Sequence, residues 1–124
     1  MKIVISSDDK INIRKGHFGR GHYFMIFVRD GDQVFSLEVK ENPYYDQDDH
    51  QQVDRVLGVI RDSDVLIGKS MGRESAKKLK SLGKKLLLTQ IDSAHEAATA
   101  YFNNELERFL TWDDDARKFV TLAQ

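Results

Sequence analysis

Cysteine is absent from the 124 residues. That excludes disulfides, thiolate zinc sites and a metal cluster held by the protein's own thiolates. Charge of one sign is not in excess either. With 19 Lys and Arg against 20 Asp and Glu, the formal net charge is −1, so no global field draws the chain to nucleic acid or an anionic membrane. No apolar run approaches membrane-spanning length, and residues 1–6 hold too short an apolar run for a signal peptide. A cytoplasmic protein is expected, with neither nucleic acid nor membrane as partner. Proline occurs once, at Pro43, and no repeat or low-complexity stretch is visible. What is present is 40% hydrophobic and 31% charged, the proportions of a globular domain with its own core.

Periodicity outlines an α/β chain. Ile3, Val4 and Ile5 form a short apolar strand. Residues 7–22 are a long loop, with a brief extended piece at 11–13. Residues 23–28 are apolar on both parities, which predicts a strand covered on both faces. Asp30-Gly31 marks a hairpin. Phe35, Leu37 and Val39 then alternate with polar neighbours, which predicts an edge strand with these three on one face. Asn42-Pro43 stops it. Val53, Val56, Leu57 and Ile60 have helical spacing. Residues 64–68 are a buried strand, 73–82 a helix stopped by Gly83, and 85–89 a third buried strand. Ser93 and Glu96 make a capping box for a helix with Ala94, Ala97, Ala98, Tyr101 and Phe102 inward. In the tail, Ala116, Phe119, Val120 and Ala123 predict a C-terminal helix over 113–123, capped by Asp113. The expected sheet has five strands: three antiparallel, then two parallel to the first and reached through helices. Its loops at 7–22, 41–50, 68–73 and 89–93 leave one edge, where open α/β sheets bind ligands.

The most unusual stretch is Lys15-Gly16-His17-Phe18-Gly19-Arg20-Gly21-His22. It is a cationic, glycine-hinged loop next to a buried strand, and such loops commonly carry binding residues. Across the edge, Lys69-Ser70-Met71-Gly72-Arg73 enters a helix whose free amides and two cations suit an anion. An ordinary strand–helix turn with solvated charges accounts for the same residues. Gly68-Lys69-Ser70 imitates the end of a P-loop, but the earlier glycine is replaced by Ser63. Gly16, Gly19 and Gly21 precede a strand rather than a helix, so they make no dinucleotide fingerprint. His17, His22 and His50 could converge on one metal or cluster, although no pair has helical metal spacing. His95 reads as an exposed helix residue. Met71 is a soft thioether that more often fills a core gap. Asp8, Asp9, Glu41, Asp46, Asp48 and Asp49 gather near the same edge. Most sit in one polar run, whereas a two-metal site needs them converging.

His17-Phe18-Gly19-Arg20 with Phe24, Glu41-Asn42-Pro43, His50, Asp64, Met71-Gly72, Ala76, Leu79, Gly83 and Glu96-Ala97 together resemble the dinitrogenase iron–molybdenum cofactor biosynthesis family. Its members include cofactor carrier proteins and the C-terminal domain of the protein that builds the cofactor's iron–sulfur core. The resemblance spans residues 1–106, leaving 107–124 as a helical extension of the same domain. It implies a ribonuclease-H-like fold. It also implies non-catalytic, non-covalent binding or carriage of an iron–molybdenum cofactor or iron–sulfur precursor, with a cofactor-donor or acceptor protein as partner. His17 is the first metal ligand it implies and His50 the second. Phe18, Gly19, Arg20, Lys69, Met71, Gly72 and Arg73 complete the cofactor-binding set. The chain departs from the family where His50 stands in an acidic Asp48-Asp49-His50-Gln51 context rather than between glycines. The alternatives are a metal-dependent nuclease on the same fold and a regulatory module that binds a protein partner.

Overall fold

The computed structural model describes residues 1–45 and 52–122, leaving aside the side chains of residues 52 and 53. The elements, in order, are β1 (Ile3–Ser7), β2 (Tyr23–Asp30), β3 (Gln33–Glu41), α1 (Gln52–Val59), β4 (Val65–Gly68), α2 (Arg73–Ser81), β5 (Lys85–Thr89), α3 (Ala94–Phe102), β6 (Phe109–Asp113) and β7 (Lys118–Thr121). They build one mixed sheet of seven strands, ordered β3-β2-β1-β4-β5-β6-β7. β1, β4 and β5 are parallel, β2 and β3 antiparallel, as the hairpin and helical connections require. No helix among the described residues is long and apolar enough to cross a membrane.

Alternation along the strands separates two cores. Ile3, Ile5, Met25, Phe27, Ile67 and Leu87 face α3, whose Ala94, Ala97 and Ala98 are buried against them. Val4, Phe24, Ile26, Leu66 and Leu86 face α1 and α2 through Val56, Ile60, Ala76 and Leu79. The alanines on α3 are small enough to seat that helix close to the sheet. Its start is capped as expected, with Ser93 Oγ accepting the Glu96 N–H at 3.1 Å. Gly83, at φ +83°, ends α2 in the left-handed region.

Two sequence expectations are corrected here. The sheet has seven strands rather than five, because the predicted C-terminal helix is a β-hairpin. Trp112 pairs with Phe119 across it, rings 5.3 Å apart and nearly perpendicular. Asp113 caps a turn, not a helix: its Oδ1 accepts the Asp115 N–H at 2.9 Å, and Arg117 follows at φ +55°. Ala116 lies in the turn, Phe119 and Val120 lie in β7, and Ala123 lies outside the described residues; the open edge of β5 pairs with β6 through Leu87, Leu88 and Thr89. Second, β3 is an edge strand as expected, but its apolar residues do not share a face. The register slips between Ile26 and Phe27, so Phe35 lies opposite Val28 while Val39 lies opposite Met25. Val28 and Met25 point to opposite faces, and one extra residue reverses the parity.

Candidate functional site

The loop between β1 and β2 is built from local hydrogen bonds before it is packed. Asp9 Oδ1 accepts the N–H groups of Asn12 at 2.7 Å and Ile11 at 2.9 Å. The N–H of Asn12, then that of Ile11, holds the Asp9 carboxyl down at about 2. A carboxylate whose folded pKa is depressed stabilises its surroundings above the unfolded value of ~3.9 and loses that effect as pH falls through the folded value. The turn should therefore survive at pH 4 and open near pH 2. Carbon-13 NMR of the Asp9 carboxyl is expected to titrate with a midpoint of about 2, and a midpoint near ~4 would contradict the bonding.

Beyond the turn the chain is stitched across the sheet edge. Ile13 N–H donates to Asp92 O at 2.7 Å and Arg14 N–H to Ser6 O at 2.8 Å. Arg14 Nη1 donates to Asp8 Oδ2 at 2.7 Å and its Nε to His17 O at 3.1 Å. His17 forms a parallel bridge with Ser70, whose carbonyl accepts the Phe18 N–H at 2.9 Å. Ser70 Oγ lies 3.0 Å from His17 Nδ1. Phe18 is buried, its ring 5.4 Å from that of Phe24. The exposed His17 ring thus sits between a buried neighbour and a side-chain contact at one nitrogen. A 3₁₀ turn, Phe18–Arg20, completes the loop.

Two further contacts set the loop's height. Asn42, 2% exposed, donates from Nδ2 to Gly19 O at 3.0 Å and Gly21 O at 2.8 Å. Gly21 lies directly on Ser6, where a Cβ would overlap Ser6 Oγ and stand 3.2 Å from Ser6 Cβ. The buried Ser6 hydroxyl has no hydrogen-bond partner among the described residues. Gly21→Ala should cost ~1–3 kcal/mol through overpacking. Ser6→Ala should be neutral or stabilising, since it removes an unsatisfied buried hydroxyl. The double variant should recover most of the Gly21→Ala loss in urea melts, and strictly additive changes would show that the two residues do not touch.

The predicted site residues fare differently. Lys69, which the sequence offers as a cation for an anion cradle, is engaged: its Nζ lies 2.5 Å from Asp92 Oδ1 and 3.3 Å from Gln90 O. That hydrogen bond, then the lysine charge, lowers the Asp92 pKa. Arg73 is exposed, at the start of α2, with no hydrogen bond or ion pair among the described residues. The N-cap is Gly72, which offers no side-chain oxygen to the first-turn amides. Phe18 and Met71 belong to the core beneath these loops, so they carry the loops rather than line the surface. Gly19 and Arg20 are partly buried in the turn. His50 lies outside the described residues. Among the described residues, no group of three or more His, Asp or Glu is arranged to hold a metal ion. From the sequence Asn42 stands as a strand stop, Ser70 as part of a strand–helix turn and Asp8 as one of several edge carboxylates, without the histidine partners that the fold gives Ser70 and Asp8. The signal for Asn42 was a polar residue fixed before the only proline.

A family model for the dinitrogenase iron-molybdenum cofactor matches residues 1–104. The chain belongs to that family. The hairpin β6–β7 lies beyond the match. No curated protein matches the chain. Among solved structures, PH0822 is similar with a TM-score of 0.67 and 24% identity, over 84% of this chain and 92% of that one. The protein mj0327 of Methanocaldococcus jannaschii has a TM-score of 0.64 and 20% identity, over 99% and 97%. The apo form of the orange protein from Desulfovibrio gigas has a TM-score of 0.67 and 15% identity, over 84% and 88%. At these identities the likeness speaks for a shared fold. Membership of the iron-molybdenum cofactor family indicates a cofactor-binding or carrier role in general terms.

Proposed function

We propose that this family member carries an anionic metal cluster of the iron–sulfur or iron–molybdenum type as cargo, without turnover. The observation that carries the reading is His17: an exposed imidazole held at Nδ1 by Ser70 on a loop bridged to the start of α2. When Nδ1–H donates to Ser70 Oγ, Nε2 keeps its lone pair for a metal. An open imidazole suits a cluster that already holds inorganic sulfide around its metals and so needs few protein ligands. A bare ion wants three or four protein ligands. Arg73 and the first-turn amides of α2, which Gly72 leaves without a side-chain cap, supply positive potential for the cluster's charge. A site with few protein ligands also suits carriage, because few bonds have to be exchanged with a donor or acceptor protein. Among the described residues, three carboxylates at this edge are engaged in holding the loops. Asp8 holds Arg14 and His22, Asp9 holds its own turn, and Asp92 holds Lys69. The order of three antiparallel strands followed by parallel strands reached through helices supports a ribonuclease-H-like arrangement with an added hairpin.

The test is anaerobic titration with a preformed iron–sulfur or iron–molybdenum cluster, followed by gel filtration and metal counting. His17→Ala is expected to weaken binding at least about tenfold and to leave the fold intact, since an exposed loop side chain adds little packing. Arg73→Glu should weaken binding most at low salt, where the lost electrostatic effect is least screened. Wild-type affinity in the His17→Ala protein would remove His17 from the site. Absence of binding by the wild type would end the carrier reading.

A further inference from the structure

A second imidazole stands at the far end of the same loop, and the fold prepares it more completely than His17. Asp8 Oδ1 lies 2.9 Å from His22 Nδ1 and also accepts the His22 backbone N–H at 3.1 Å. Asp8 Oδ2 accepts Arg14 Nη1 at 2.7 Å. Both carboxylate oxygens of Asp8 therefore face donors, the His22 N–H on one side and the Arg14 guanidinium on the other. An ionised carboxylate only accepts. Nδ1 of a neutral His22 must therefore carry the proton, and the lone pair lies on Nε2. The ring is stacked on Tyr45, centroids 4.1 Å apart and planes 28° apart, which fixes its plane. It is nevertheless 46% exposed.

A carboxylate on one ring nitrogen and an open second nitrogen is how proteins orient metal-ligating histidines and raise their basicity. A bare surface ion pair would need only one carboxylate oxygen and no stacking partner. Here both Asp8 oxygens are used, and Arg14 joins the arrangement to His17 by donating to its carbonyl at 3.1 Å. One guanidinium therefore braces the mounts of both imidazoles.

We propose that His22 is a second imidazole ligand for the cluster, with Asp8 and Tyr45 as its positioning residues. The proposal rests on the cluster-carrying reading above. Capture is a ligand exchange at iron. The bond to an exogenous thiolate breaks with its electron pair leaving on sulfur, Nε2 donates its lone pair to the same iron, and no electron changes hands.

The test uses the full chain with nitrogen-15 histidine and a thiolate-ligated four-iron four-sulfur cluster, loaded anaerobically and reduced for pulsed EPR. Wild type is expected to show hyperfine coupling from two imidazoles. His22→Gln should lose one of them and bind about tenfold more weakly. Asp8→Asn keeps both rings but should weaken binding about ten- to hundredfold, as loss of such outer partners does. In the cluster-free Asp8→Asn protein, ring nitrogen-15 NMR should show His22 losing its single tautomer. Wild-type couplings and affinity in His22→Gln would overturn the proposal and leave carriage by His17 standing. If wild type binds no cluster at all, the carrier reading fails and this proposal with it.

Discussion

Phe18→Ala is expected to destabilise the fold by about 3–5 kcal/mol, the usual cost of removing a buried phenylalanine ring. Phe18 is 2% exposed and packs with Val4, Phe24, Ile26 and Leu66 on the α1–α2 face. Gly68 makes room for it: a Cβ there would stand 3.3 Å from Phe18 Cδ2. Truncation would leave a ring-sized void, and β1 and β4 are too well paired to close over it. The same change should also cost cluster binding, because the Phe18 N–H to Ser70 O bond fixes where His17 stands. Urea denaturation measures the first effect, and cluster titration of the still-folded fraction the second. Phe18→Leu should keep most of the stability and most of the binding. A loss under ~1 kcal/mol for Phe18→Ala would mean that the loop is not anchored through this ring.

Asn42→Ala should cost about 2–4 kcal/mol, and Asn42→Asp more. Alanine removes both Nδ2 donors and leaves the carbonyls of Gly19 and Gly21 without them, one of those bonds being fully buried. It also removes the acceptor for the Tyr44 N–H at 3.0 Å. Aspartate has the same shape but points a carboxylate oxygen at two carbonyl oxygens, so burial and repulsion both favour its neutral form. The sign follows from linkage. Its folded pKa is raised, so the variant is most stable below the unfolded value of ~3.9 and weakens as pH rises through the folded one. Thermal melts at pH 4 and pH 7 should bring Asn42→Asp close to Asn42→Ala in acid and below it at neutrality. A pH-independent difference between the two would show that the amide does not face those carbonyls.

These two residues also mark how far the chain can be read without its fold. Phe18 and Asn42 both stand in stretches that resemble the family, and the glycine-rich loop at the sheet edge is visible from composition and spacing. Yet Asn42 reads only as the residue before proline, because its partners lie 21 and 23 positions away. Lys69 reads as a free cation for a similar reason. Asp92, which binds it, comes from another loop 23 residues on. His22 has no priority among the histidines until Asp8, 14 residues earlier, is brought onto its ring.

Local regularities determined the central elements. Apolar runs at Ile3–Ile5, Val65–Ile67 and Leu86–Leu88 have to be buried strands, and the spacing of Ala94, Ala97 and Ala98 has to be a helix face, because the pleat and the helical turn repeat within a few residues. Tertiary structure decided the tail, the register of β3 and the use of the charges. Ala116, Phe119 and Val120 have helical spacing, and the hairpin prevails because the open edge of β5 supplies hydrogen-bond partners for β6 and β6 in turn for β7. The bulge opposite Ile26 and Phe27 leaves no mark in the alternation of β3, since it reflects how two strands twist against each other. Whether a lysine or histidine is free for a ligand depends on which carboxylate the fold delivers to it, and the sheet brings together loops far apart in sequence to make that choice.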